Sequence, residues 1–277
     1  MADFRIEIAT SSDSLVQFAS VFSNAFGIES IDHQKLAEGW RRAVSRRLMT
    51  FVKATTTSDE VVGTGAMTWF GTTCWVGYLG TAPNWRREGV GTKILRFLMN
   101  DARTRGYRTI ELFATPMGRP IYDREGFLPT NLASLYYVTS RKSNPPPDVY
   151  SVGELPRWAV QLDKQAYGGD RSALFQYITA EGGSIYLVDN QGFCFVDKDG
   201  SAGPMVAKNQ VTALKLSQKI VSAGGAKFLL PSYVPDQLAN SLSLEPIKGR
   251  TCLGMVYGEE RRCRNDLIYG LHSFAMG

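Results

Sequence analysis

Trp75-Val-Gly-Tyr-Leu-Gly-Thr-Ala-Pro-Asn-Trp-Arg-Arg-Glu-Gly-Val-Gly-Thr-Lys-Ile-Leu-Arg-Phe-Leu-Met99, closed further on by Ile121-Tyr-Asp-Arg-Glu-Gly-Phe127, decides the fold. The first part is apolar and strand-like as far as Thr81. Pro83 and Asn84 mark a turn. A basic, glycine-containing loop, Arg86 to Gly91, then opens directly into a helix. Ile94, Leu95, Leu98, Met99 and Ala102 fall on one face of that helix at 3.6-residue spacing. A strand, a glycine loop and a helix start, in that order, suggest an anion site. The first N–H groups of a helix have no internal partner, and the helix dipole favours negative charge there. Gly89 and Gly91 let the backbone approach a phosphate, and Arg86 and Arg87 add charge-assisted hydrogen bonds.

The dinucleotide fingerprint G-x-G-x-x-G fails here, because Ile94 stands where its third glycine would be. The ATP-type loop G-x-x-x-x-G-K-[ST] is absent as well. What remains is Arg86-x-x-Gly89-x-Gly91 behind Leu79-Gly-Thr-Ala-Pro83. This resembles the acetyl-coenzyme A motif of the GNAT superfamily of N-acetyltransferases. Leu112 to Phe127, a strand and then a short helix ending Y-x-x-x-G-F, resembles the second signature of that superfamily. The resemblance covers roughly the first half of the chain.

At 277 residues the chain is too long for one ordinary domain of about 100–150 residues. Its hydrophobic fraction of 44% suits a globular core, and no run approaches the ~20 apolar residues of a membrane helix. The first residues do not read as a signal peptide. Cys74, Cys194, Cys252 and Cys263 form no C-x-x-C pair, and the chain has only 2 histidines, so no metal site is expected. The cysteines read as reduced thiols of a cytoplasmic protein. The net charge of +5 lies in the first half: residues 1–143 hold 18 Lys and Arg against 13 Asp and Glu, and the rest holds 13 of each. Such a field steers a polyphosphate, although an excess this small is also common on any solvated surface. No nucleic-acid motif is present.

In chain order, Phe4 to Ile8 alternates as a first strand. Ser12 or Asp13 caps a helix with Leu15, Phe18, Ala19 and Phe22 inward. Asp32 to Leu48 reads as a second helix with Leu36, Trp40 and Val44 inward. Its Arg41, Arg42, Arg46 and Arg47 form either a solvated face or a contact with the cofactor's 3′-phosphate or an acidic partner. Thr50 to Ala54, Val61 to Phe70, Cys74 to Thr81 and Arg108 to Ala114 read as strands, Pro120 to Glu125 as a short helix, and Leu135 to Thr139 as a closing strand. Trp69 and Phe70 are expected in the core or a pocket wall. Arg141 to Asp148, with three prolines, is a linker.

Beyond it the plan repeats: helices at Glu154 to Tyr167 and Arg171 to Ala180, then a hairpin of Ser184 to Val188 and Gly192 to Val196. Next come a strand at Pro204 to Ala207 and a helix carrying Ala213, Leu214, Leu216 and Ile220. A strand at Lys227 to Leu230, a helix at Asp236 to Ser241 and a strand at Cys252 to Tyr257 complete the order. The expected fold is an α/β (α+β, mixed-sheet) pair of tandem GNAT-like domains, 1–143 and 144–277, each a mostly antiparallel sheet flanked by helices. In the second copy the anion-loop position reads Gly203-Pro-Met-Val-Ala-Lys-Asn-Gln-Val-Thr-Ala213, without the arginine–glycine pattern. That half should not bind coenzyme A in the usual way. The arrangement resembles a two-domain GNAT type with a D-R-S-A-L-F stretch, here Asp170 to Phe175.

The resemblance implies roles. Leu79, Gly80 and Thr81 meet the acetyl and pantetheine groups, on a strand that bulges and splays from its neighbour. Arg86, Arg87, Glu88, Gly89, Val90, Gly91 and Thr92 hold the pyrophosphate. Tyr122 aligns with the tyrosine that meets the departing sulfur, with simple packing as its structural alternative. Thr115 stands where many members have a cofactor-contacting asparagine. Glu88 is unfavourable in a phosphate loop unless it points to solvent. Glu111 is a candidate general base; otherwise it is an exposed strand carboxylate or a partner of Arg108. His33, Tyr167, Asp170 and Arg171 are candidates for the acceptor site, against the alternatives that His33 is a surface residue, Asp170 a helix cap and Arg171 an interdomain bridge. His272 has no evident partner. The implied activity is transfer of acetyl from acetyl-CoA to the primary amine of a small molecule by direct attack in a ternary complex. A coenzyme A-binding sensor without turnover and a protein lysine or N-terminal acetyltransferase are the alternatives. No membrane or nucleic-acid partner is expected, and the oligomeric state is open.

Overall fold

The computed structural model describes residues 3–277 apart from 30, 141–144, 235, 260 and 262. The first four residues of the proline-rich linker therefore lie outside the described residues.

Strand β1 (Phe4–Ile8) leads into helix α1 (Ser12–Phe26). The cap of α1 is Ser11, one residue earlier than expected: its hydroxyl accepts from Ser14 N, and Gly27 ends the helix in the left-handed region at φ 62. Helix α2 (His33–Ser45) starts from an Asp32 cap and buries Trp40. Arg42 on its outer side forks onto Glu181, beyond the linker, with Nη2–Oε2 at 2.7 Å. Arg41, Arg46 and Arg47 are exposed. Of the four arginines, then, one found an acidic partner inside the chain.

Strands β2 (Met49–Thr56), β3 (Val61–Phe70) and β4 (Thr73–Thr81) follow, then helix α3 (Val90–Thr104), strand β5 (Thr109–Ala114), helix α4 (Arg119–Arg124) and strand β6 (Leu128–Val138). The apolar stripe read on α3 is its buried face: Ile94, Leu95, Leu98 and Ala102 are wholly buried. Leu98→Ala should cost about 2–5 kcal/mol, since a buried leucine loses both transfer energy and packing; a denaturant titration reads this as a lower midpoint with an unchanged slope.

The second half runs β7 (Tyr150–Val152), α5 (Arg157–Tyr167), α6 (Ser172–Ala180), β8 (Ser184–Val188), β9 (Gly192–Val196), β10 (Ser201–Ala207), α7 (Gln210–Ser222), β11 (Lys227–Pro231), α8 (Asp236–Ser241), β12 (Leu244–Gly258) and β13 (Ile268–Gly270). Strands β7 and β13 were not foreseen from sequence. Neither was the length of β6 and β12, whose polar stretches hide their first residues.

All described strands join one sheet in the order β1-β2-β3-β4-β5-β12-β6-β11-β10-β9-β8-β7, with β13 attached to β10. The halves exchange strands at the centre. Strand β12, from the second half, lies between β5 and β6, and β6, from the first, lies between β12 and β11. Each half thus completes the other's sheet. The cores reflect this. Helices α1, α2, α5 and α6 cover one face through a shared cluster that includes Phe18, Trp40, Phe51, Leu174 and Phe193. The opposite face carries α3 and α7 over separate clusters. Among the described residues no helix is long and apolar enough to cross a membrane.

Candidate active site

The site begins where β4 and β5 part. They pair in parallel from Thr73↔Thr109 to Val76↔Leu112 and no further, although both strands continue. Against β3, the register of β4 moves from Ala66↔Gly77 to Thr64↔Gly80, so β4 carries one extra residue there. Tyr78 takes a φ of 54 at this bulge, and its carbonyl accepts from Thr64 Oγ1 at 2.9 Å. A bulge leaves main-chain groups without a cross-strand partner and re-aims the strand. Leu79, Gly80 and Thr81 follow it directly on the parted segment.

A short 3-10 turn, Pro83–Trp85, then lifts the chain to the loop. Arg86 Nη2 donates to Ala25 O at 3.1 Å, tying the loop to the end of α1. Arg87 and Gly89 both take left-handed conformations, at φ 70 and 81. Gly89 is the N-cap of α3 and offers no side chain to its first turn. The first bond back into the helix is Lys93 N to Gly89 O at 3.0 Å. The N–H groups of Val90, Gly91 and Thr92 are therefore the unsatisfied donors of an uncapped helix start. Space above Gly89 is open: a Cβ there would meet nothing within 4 Å. Glu88 is exposed, the condition under which an acid is tolerated in such a loop. These residues fit a diphosphate.

Helix α4 borders the same opening. A Cβ on Gly91 would lie 3.4 Å from Ile121 and 3.5 Å from Thr81 Oγ1, so the ends of β4, α3 and α4 converge. Tyr122 is buried beside Phe127, with ring centroids 5.7 Å apart. Burial pushes its phenol well above the ordinary range. It therefore keeps its proton at neutral pH. Thr115 Oγ1 accepts from Gly118 N at 3.1 Å, so its hydroxyl organises the turn into α4.

On the other face of the sheet the halves enclose a cavity of about 40 Å³. Its wall includes Trp75, Glu111 and Phe113 from the first half and Tyr167, Arg171, Tyr233 and Arg261 from the second. Side chains alternate along a strand. On β5, Ile110, Leu112 and Ala114 join the α3-side core, and Glu111 and Phe113 face the cavity. Glu111 pairs in register with Trp75, one residue before the strands part. Its partner is Arg261, with Nε–Oε2 at 3.4 Å and both side chains about 15% exposed or less. Arg108 instead meets Glu259 at 3.3 Å. Glu111 is thus neither an exposed carboxylate nor a partner of Arg108. Burial lifts its carboxyl above the ordinary carboxylate range, against the opposing pull of Arg261 and Arg171.

Arg171 is 2% exposed and forks onto Asp163, with Nη2–Oδ1 at 2.7 Å and Nε–Oδ2 at 3.2 Å. The two guanidinium carbons lie 3.2 Å (Arg171) and 5.2 Å (Arg261) from the Tyr167 ring centroid. Asp170 does not join them. It accepts from Ser172 N at 2.9 Å, meets Lys164 at 2.7 Å, and its carboxyl is held down at about 2 by these partners. His33, at the start of α2, is not part of the cavity wall. Trp69 and Phe70 are both buried, and Phe70 reaches the wall. Arg261 and Tyr233 were missed in the sequence. The only signal for Arg261 was its place in the basic stretch after β12.

The second half shows what closes its own opening. Strands β10 and β11 also pair in parallel, at Ser201↔Lys227 and Ala202↔Phe228. Strand β13 then pairs with β10, and Leu271 N donates to Leu229 O at 2.9 Å on β11. The chain's own backbone fills the gap where the first half parts. His272 sits here, its Nδ1 3.4 Å from Gly203 O, and burial lowers its imidazole below the ordinary value. From there the chain crosses to β4: Trp75 Nε1 donates to Phe274 O at 3.2 Å.

The chain belongs to the GNAT acetyltransferase family as a two-domain member. The acetyltransferase (GNAT) family profile matches residues 17–127, and an acetyltransferase (GNAT) domain profile matches residues 159–270. Among solved structures, a protein from Pyrococcus horikoshii assigned as an acetyltransferase is similar at 24% identity and a TM-score of 0.90, over 99% of this chain and 96% of that one. A GCN5-related N-acetyltransferase from Sphaerobacter thermophilus is 11% identical with a TM-score of 0.66, over 95% and 100%. A tandem GNAT protein of the clavulanic acid biosynthesis pathway is 13% identical with a TM-score of 0.61, over 92% and 98%. No curated protein sequence matches the chain.

Proposed function

We propose that this protein is an N-acetyltransferase that moves the acetyl group of acetyl-CoA to the primary amine of a small molecule, with residues 1–143 carrying the cofactor cleft and residues 144–277 shaping the acceptor side. The observation that supports this reading most is the pairing of two openings on the sheet. The parted β4–β5 cleft ends at a helix start with free donors, and the cavity holding Glu111 lies against the same strands on the other face.

Arg86, Arg87, Glu88, Gly89, Val90, Gly91 and Thr92 would hold the diphosphate, chiefly through backbone N–H groups and the two arginines. Leu79, Gly80 and Thr81 would line the acyl arm, with Thr115 beside it. Bound there, acetyl-CoA supplies an activated thioester. The amine nitrogen attacks its carbonyl carbon; the C–N bond forms and the C–S bond breaks. The amine's proton leaves to the Glu111 carboxylate, whose raised basicity suits the task. The sulfur's electron pair is met by the Tyr122 hydroxyl as a hydrogen-bond donor. Cys74 is a poor nucleophile for an acyl-enzyme route: it is buried, its thiol is pushed up by burial, and it donates to Thr109 O at 3.6 Å. A ternary complex follows. Four free cysteines fit a cytoplasmic setting.

Tyr122→Phe tests the chemistry. Turnover should fall by about 10- to 100-fold, the cost of one donor to a developing charge, with acetyl-CoA affinity within about twofold of the parent. Stopped assays of thiol release and calorimetry read the two quantities. Unchanged turnover would remove Tyr122 from the reaction.

A further inference from the structure

Building on the acetyltransferase reading, we infer that the acceptor is a free α-amino acid, its carboxylate held by Arg171 and Arg261 and its amine by Glu111.

Asp163 takes the Nε and Nη2 hydrogens of Arg171. That leaves Arg171 Nη1, in a residue 2% exposed, with no hydrogen-bond partner among the described protein atoms. Arg261 Nε is unpartnered in the same sense, because its 3.4 Å approach to Glu111 lacks hydrogen-bond geometry. An unmet buried donor on a charged group is costly, and a carboxylate with two oxygens can satisfy both. Asp163 is not part of the cavity wall. Each guanidinium is already matched by one carboxylate, Arg171 by Asp163 and Arg261 by Glu111, so what the wall offers an incoming carboxylate is the two unmet N–H groups rather than a surplus of charge.

Size and spacing narrow the choice. The cavity of about 40 Å³ has room for about three waters, at roughly 10–15 Å³ each. That space receives a carboxylate group and excludes a sugar ring, so it takes the carboxylate end of the acceptor and the rest of the acceptor lies outside it. Glu111 lies 3.4 Å from Arg261, so the sites for ammonium and carboxylate adjoin, as these groups do on one α-carbon. An amine on a protein N-terminus or a lysine side chain brings no such carboxylate.

The test compares free L-amino acids with their carboxamides, both as acceptors with acetyl-CoA and as calorimetric titrants of the full chain saturated with coenzyme A. The acid form should be preferred by about 10- to 100-fold. Arg261→Gln should reduce that preference to within about twofold and leave acetyl-CoA affinity unchanged; Arg261→Lys should restore part of it. If amides are acetylated as well as acids, the amino acid inference is overturned and the acetyltransferase reading stands. If acids bind selectively but no amine is turned over, the acetyltransferase reading falls and the acceptor role with it, and only the carboxylate site at Arg171 and Arg261 stands. Failure of both binding and turnover for the acids overturns both. Should Arg261→Gln not fold, the acid-to-amide ratio of the parent protein decides alone.

Discussion

Gly89→Asp is expected to abolish coenzyme A binding while leaving the chain folded. Gly89 sits at φ 81 and a Cβ there meets nothing within 4 Å. Aspartate visits this left-handed region more readily than most side chains, at a strain of about 1–2 kcal/mol. The chain keeps its fold with that small loss, and the larger cost falls on the ligand. A carboxylate about 4 Å from a diphosphate charge costs about 4 kcal/mol at the effective dielectric near a protein surface. That is roughly a thousandfold loss in affinity. Gly89→Asn, with the same shape and no charge, separates the two effects and should bind within about tenfold of the parent. Calorimetry with acetyl-CoA, beside a thermal melt, reads both. Tight binding by the aspartate variant would remove the diphosphate from the start of α3.

Arg171→Met should destabilise the protein by about 3–5 kcal/mol, the usual cost of leaving one charge of a buried pair without its partner. Arg171 and Asp163 are 2% and 0% exposed, and their two hydrogen bonds run at 2.7 and 3.2 Å. The melting temperature should fall by about 10 °C, given about 2–4 °C per kcal/mol for large domains. Asp163→Leu combined with Arg171→Met should recover much of the loss, because an apolar pair of similar volume replaces both buried charges. A loss below about 1 kcal/mol for the single variant would mean that water reaches Asp163 freely.

What could be read from the sequence was what is encoded locally. Strands β1, β3, β8 and β9 and helix α8 begin and end where their residue types predict, because each is a short patterned run bounded by turn residues. The glycine loop and the buried face of α3 were equally legible, since both follow from spacing. The strand exchange was not. Leu128 to Ser134 looks irregular alone, and it becomes strand because β12 pairs along it, with β11 joining on the other side from Ala133. The same holds for Leu244 to Thr251, which includes Pro246 and Gly249 and pairs with β6 across a register shift.

At the site, the residues named from sequence sit on local motifs, and their long-range partners were not named. Glu111 and Arg171 were named, but Arg261, 150 positions beyond Glu111, carries no periodic or motif signal of its own. Arg108, three positions from Glu111, looked the natural partner; strand geometry instead places it beside Glu259 at the sheet's end. In the second half, Gly203 to Ala213 lacks the arginine–glycine pattern. That absence could not show that β13 fills the gap between β10 and β11.

The most direct measurement is a calorimetric titration of the full chain with acetyl-CoA. The expected result is saturable binding at one site per chain, lost in Gly89→Asp. Absence of binding, or binding that survives that substitution, would contradict a cofactor site at the start of α3.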